Sequence, residues 1–132
     1  MAFEFNRNQQ DLNFTSTVAI AQAGANTATF DLEQAVGGDI GAVVFELAAP
    51  TAAGITSTKV VTYALQDSAD GSSWAAVDPA ISTTQTADGS GIVAKTVRFR
   101  VPANTRRYVR IAQTMTATAG TVTGNMVAKL LF

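Results

Sequence analysis

A chain of 132 residues with nine Lys or Arg, ten Asp or Glu and a net charge of −1 has room for one domain and one core, and it lacks the strong basic balance of a nucleic-acid binder. It contains no cysteine and no histidine, which excludes a disulfide framework, a thiolate zinc site and the commonest general base. Charged residues make up only 14%, against roughly 25% in typical domains, so Ala, Thr, Ser and Gly must form much of a surface that gives up water cheaply.

The net charge hides a split. Residues 1–91 hold all ten carboxylates and only Arg7 and Lys59, which leaves −8. Residues 92–132 hold seven cations and no acid, which leaves +7. Either the fold segregates an acidic and a basic face, or strands from the two halves alternate in space and the charges pair locally.

In chain order, residues 1–13 read as a polar arm carrying Phe3, Phe5 and Arg7, ahead of a single domain over 14–132. The leader has no apolar stretch of the signal-peptide kind, and no apolar run reaches the roughly 20 residues that span a bilayer. Strands are predicted at 14–20, with Phe14, Val18 and Ile20 on one face, and at 27–32, with Phe30 and Leu32 inward and Thr29 and Asp31 outward. Residues 33–39, with Gly37 and Gly38, read as a loop. The nearly continuous apolar run 40–48 predicts a strand covered on both sides, broken after Ala49 by Pro50.

A fourth strand is expected over 58–66, aligning Val61, Tyr63 and Leu65. The turn signal Asp70-Gly71 follows, and a short strand returns over 74–77. Residues 82–91 read as a polar loop. A sixth strand is predicted over 92–101, with Val93, Val97, Phe99 and Val101 on one face and Thr96, Arg98 and Arg100 on the other. The C-terminal stretch reads as two long strands meeting near residues 118–120. Val109, Ile111 and Met115 face inward in the first, and Val122, Met126, Ala128, Leu130 and Phe132 in the second. About eight strands at this spacing predict an all-β, antiparallel β-sandwich.

No stretch offers a nucleophile, a phosphate loop or a paired acid and base. Gly37-Gly38 and Gly89-Ser90-Gly91 do not precede helical patterns, so a phosphate cradle is not supported. Asp67, Asp70 and Asp78 invite a calcium reading, but their spacing lacks the terminal bidentate Glu of an EF-hand, and turn carboxylates usually bind local backbone. Tyr63 aligns with core positions, whereas Trp74 follows a turn and is the better candidate for a sugar platform. The remaining signal is a basic cluster, Arg98, Arg100, Arg106, Arg107 and Arg110, on strands that also carry core residues. With Phe3, Phe5 and Arg7 of the arm it is the candidate partner interface, the other reading of the arginines being a face that is solvated or paired within the chain.

The order of these features resembles the small capsid cement, or decoration, proteins of tailed bacteriophages. The likeness rests on the polar leader, Gly24-Ala25-Asn26 with Phe30-Asp31-Leu32, the Gly37-Gly38 loop and the strand from Val43 to Leu47. It continues through Ala64-Leu65-Gln66-Asp67-Ser68 with Asp70-Gly71 and Trp74, and through Arg107-Tyr108-Val109-Arg110-Ile111 before a Thr-, Gly- and Ala-rich last strand. The resemblance implies a jelly-roll-like sandwich that assembles as a homotrimer, or in some members a dimer, on the exterior of the virion. It also implies synthesis in the host cytoplasm, and the major capsid protein as partner. No enzymatic activity or cofactor comes with it, and the residues themselves point to no metal, no membrane and, given the charge balance, no nucleic acid. A glycan- or receptor-binding module of a phage tail or fibre is the alternative expectation.

Overall fold

A computed structural model describes residues 10–32, 43–116 and 121–131. Among these residues ten β-strands run in chain order as β1 (Gln10–Ala19), β2 (Ala25–Asn26), β3 (Phe30–Asp31), β4 (Val44–Ala49), β5 (Val60–Ser68), β6 (Ala75–Ala76), β7 (Ser82–Thr86), β8 (Lys95–Arg100), β9 (Tyr108–Met115) and β10 (Asn125–Leu131). They form two antiparallel sheets. One has the order β1-β10-β4-β8. In the other β9 and β5 are central, with β2 and β3 flanking β9 and β6 and β7 flanking β5. Treated as split strands, the pairs β2/β3 and β6/β7 give two four-stranded sheets. The chain passes between the sheets at almost every connection, and the last strand lies beside the first. That is the double Greek-key winding of a jelly roll, so the expected all-β, jelly-roll-like sandwich is found.

The core follows from the period-two pattern. Val61, Tyr63 and Leu65 of β5, Val109 and Ile111 of β9, Phe45 and Leu47 of β4, and Met126, Ala128 and Leu130 of β10 are all buried. Phe45 joins the layers: it meets Phe30 of the facing sheet edge-on, centroids 5.3 Å apart, and stacks on Phe99 of its own sheet at 5.8 Å.

Two buried glutamines break the apolar pattern. Gln113 is 1% exposed at a position whose alternation demands an inward side chain. Its Oε1 accepts from the Ala21 N–H at 3.0 Å and its Nε2 donates to the Ala21 carbonyl at 3.1 Å, so the amide stands in for a strand neighbour. Gln85 accepts from the Tyr63 hydroxyl at 2.7 Å and donates to the carbonyls of Pro50 and Val93. Burial pushes the Tyr63 phenol up, so it stays neutral and available as a donor.

The expected polar loop over 82–91 is corrected: residues Ser82–Thr86 form β7, paired with β5 over its full length. STTQT carries no apolar residue, and only the inward Gln85 gives the strand a buried position. Of the predicted 27–32 strand only Phe30–Asp31 forms, as β3, and β2 lies just before the predicted start; between them Thr27 turns inward, receives the Ile111 N–H at 2.9 Å and donates to Ala28. β8 begins at Lys95, not residue 92, and Val93 is 73% exposed and not inward. Ile92 takes the buried place, in an isolated bridge to Ala52. Gly91, at φ 106°, makes that bridge possible, since a Cβ there would collide with the Ala52 carbonyl.

β1 begins at Gln10, inside the stretch expected as arm, and β10 at Asn125, three residues after Val122. The outward residues of β4, Val44, Glu46 and Ala48, are half-buried without a second layer over them among the described residues. The expected loop over 33–39, the turn near 118–120, the arm residues Phe3, Phe5 and Arg7, and Phe132 lie outside the described residues.

Replacing Gln113 with Leu removes a polar group from the core yet is expected to destabilise by about 2 kcal/mol, because it strands the Ala21 N–H and carbonyl. Urea unfolding followed by circular dichroism measures this; equal or greater stability would refute the strand-mimic role.

Candidate functional site

The arginines are placed by the two strands whose outward positions they occupy and by the corner that leads into β9. Arg98 of β8 lies opposite Glu46 of β4, and its Nε donates to Glu46 at 2.6 Å. Glu46 in turn lies opposite Lys129 of β10, so one row across the sheet reads Lys129, Glu46, Arg98. In the corner before β9, Arg106 holds Asp67 by its backbone N–H at 2.9 Å and by its guanidinium at 2.6 and 3.0 Å. Arg107 makes a bidentate pair with Asp31 of β3 at 2.9 and 3.0 Å. The Arg107 guanidinium also stands 5.0 Å from the Tyr108 ring centroid.

Each of these three ion pairs joins a cation of the basic C-terminal part to an acid of the acidic N-terminal part. The charges therefore mix locally, which is the second of the two outcomes the charge split allowed. Arg110 is engaged differently. Its Nε donates to Gln66 at 2.9 Å, and its guanidinium lies over Trp74, 4.3 Å from the ring centroid. Burial lowers the Arg110 pKa without threatening its charge. Arg100, exposed at the end of β8, has no carboxylate partner among the described residues. The structure thus disperses the five arginines over two sheets and one corner.

Asp67 and Asp70 serve the turn after β5. Burial pushes the Asp67 carboxyl up, but the hydrogen bonds and charge of Arg106 outweigh it and hold the group below the usual carboxylate range. Asp70 accepts from the backbone N–H groups of Ser73 and Ser72 and from the Ser68 hydroxyl, which brings its pKa down to about 2. Ser68 accepts from the Asp70 and Gly71 N–H groups, and Gly71 takes φ 79°. The loop is a hydrogen-bonded turn whose acid oxygens face the backbone. No three acids converge among the described residues.

Tyr63 is a core residue, as its alignment predicted. Trp74 is half-buried, and the Arg110 guanidinium occupies one face of its ring. Tyr108 is half-buried beside Gly71.

A surface that the sequence pattern did not single out is the outward side of the second sheet. Register places Thr114, Thr62 and Thr84 in one row across β9, β5 and β7, and Asn26, Ala112, Ala64 and Ser82 in the next. These seven residues are exposed or half-buried and uncharged. The signal was legible only in pieces, as Thr and Ala at alternate positions of three segments. The pairing of those segments had to be known before they made a surface. No protein-family model matches the chain, and no curated protein is significantly similar to it.

The lowered pKa values of Asp67 and Asp70 set a pH dependence. Both groups contribute stability that is complete above the ordinary carboxylate range, near pH 4, and that is lost as pH falls toward their lowered folded values, about 2 for Asp70. Urea midpoints measured from pH 7 to 2 should fall below pH 4. Asp67→Asn should lower the midpoint at pH 7 and flatten the decline, and an unchanged slope would refute the assignment.

Proposed function

We propose that this chain is a structural virion protein, a homo-oligomeric cement that binds the outside of a bacteriophage capsid and stabilises it. The observation that carries the reading is the pair of uncharged rows on the outward side of the second sheet. Its Thr, Ala, Ser and Asn rows offer little to a small substrate. They carry no formal charge whose desolvation would oppose cover by another protein, and their short side chains let a broad partner approach the sheet closely. Three of the cations meanwhile answer to acids of the same chain, and Arg110, in the row beside these two, is held by Gln66 and Trp74. The jelly-roll sandwich is compatible with the reading, but the same architecture hosts many functions and does not select one.

The major capsid protein is the proposed partner, and a trimer the proposed assembly. A glycan-binding module, the alternative, would need an open aromatic platform. Trp74, the best candidate, already stacks with Arg110 on one face.

The test is co-sedimentation of the purified protein with undecorated capsid shells, together with light scattering for its mass. Saturable shell binding and a discrete oligomer are expected. Thr62→Glu, at the centre of its neutral row, should reduce binding at least roughly tenfold with an unchanged melting temperature. A strict monomer that ignores every shell and binds a glycan array through Trp74 would overturn the proposal.

A further inference from the structure

β8 is one of the two edge strands of the first sheet: among the described residues it pairs with β4 on one side only. The Val101 N–H bonds to the carbonyl of Val43, its opposite residue in the β4–β8 register. Odd-numbered positions of β8 therefore direct their backbone groups toward β4. Thr96, Arg98 and Arg100 direct theirs outward, away from the sheet.

Edge strands are usually blunted by proline, a bulge or projecting charge. β8 contains no proline, and its register with β4 runs unbroken from Arg100 to Lys95. Two of its three cations are drawn away from the edge. Arg98 turns inward to Glu46, and the Lys95 ammonium donates to the Thr84 carbonyl of β7. Between the outward positions lie Val97 and Phe99, which pack on the core yet remain only half-buried. Just before the strand stands Val93, the one large hydrophobic residue exposed among the described residues.

We infer that the β8 edge is an acceptor for an extended segment of a partner protein, one bearing acidic side chains at every second position with apolar side chains between them. Added antiparallel to β8, such a strand satisfies the outward N–H and carbonyl groups of Thr96, Arg98 and Arg100. Its acids lie on the outer face beside Arg98 and Arg100, where an opposite charge across a strand pair is favourable. Its apolar residues complete the burial of Val97 and Phe99. The charge complementarity is local: β4, β8 and β10 carry Lys95, Arg98, Arg100 and Lys129 against the single carboxylate Glu46. The inference rests on the assembly reading only for the kind of molecule that supplies the segment.

The test uses the full chain and a synthetic hexapeptide alternating Glu and Val, with a peptide of the same composition but adjacent glutamates as control. The alternating peptide should bind more tightly than the control and weaken with added salt. It should slow amide hydrogen exchange at Thr96, Arg98 and Arg100. Arg100→Glu should weaken binding roughly tenfold. Thr96→Pro, which deletes an outward N–H and leaves the β4 ladder intact, should do so as well. Equal binding of the two peptides, unslowed exchange at those three amides, or wild-type affinity in Arg100→Glu would each overturn the inference. Self-association through the edge without peptide binding would do the same, assigning it to a second copy. Peptide binding by a protein that ignores capsid shells would sink the cement reading alone, and shell binding without peptide binding would sink the edge alone.

Discussion

The contact on which the structure depends is the one Phe45 makes in two directions. Within its sheet it stacks on Phe99, and across the sandwich it meets the edge of Phe30. Two sheets have no fixed separation or slide until bulky side chains from both inner faces interlock. Phe45, fully buried near the middle of the first sheet, supplies that lock. The alternating residues of β4, β5, β9 and β10 then have one way to be inside together. Everything on the outer faces, including the neutral rows and the β8 edge, inherits its position from this closure.

Closing the layers creates a polar problem that the chain solves with side chains. A jelly roll bends strands out of one sheet and into the other, and at each departure backbone groups lose their neighbours. Gln113 replaces the missing partner of Ala21, Gln85 ties Pro50 and Val93 to β7, and Thr27 bonds Ile111 and Ala28. Asp67 does the same for the corner at Arg106, using charge as well. These residues sit in core positions although they are polar, and each is matched by donors and acceptors at short range. Such networks specify a single arrangement of the layers more sharply than apolar packing alone, since a shifted sheet would leave them unsatisfied.

The same economy shapes the surface. Three of the cations hold three acids from the other end of the chain, so pairing between elements of the same sheet reinforces the topology. Among what is left outside are two rows of short uncharged residues on one sheet, beside the Gln66–Arg110 row, and the β8 edge with its outward backbone groups. Under the proposed reading both meet extended protein surfaces, the first by broad packing and the second by strand addition.

The alternation of apolar residues was enough to determine that this chain is an antiparallel sandwich. A period of two reads the inner face of Val61, Tyr63 and Leu65, or of Val109 and Ile111, without knowledge of any neighbour. The same rule failed where the buried residue is polar. Gln113 sits on the inner face but carries no apolar signal, and STTQT looked like a loop because its only buried member is Gln85. Val93 shows the converse: it is apolar and in phase with Val97, yet it lies outside because the strand starts later. Tertiary structure alone decided which strands are adjacent, and therefore which arginine meets which acid, which threonines share a row and which edge is left open. Those outcomes depend on pairings between residues dozens of positions apart, and a local period carries no information about them.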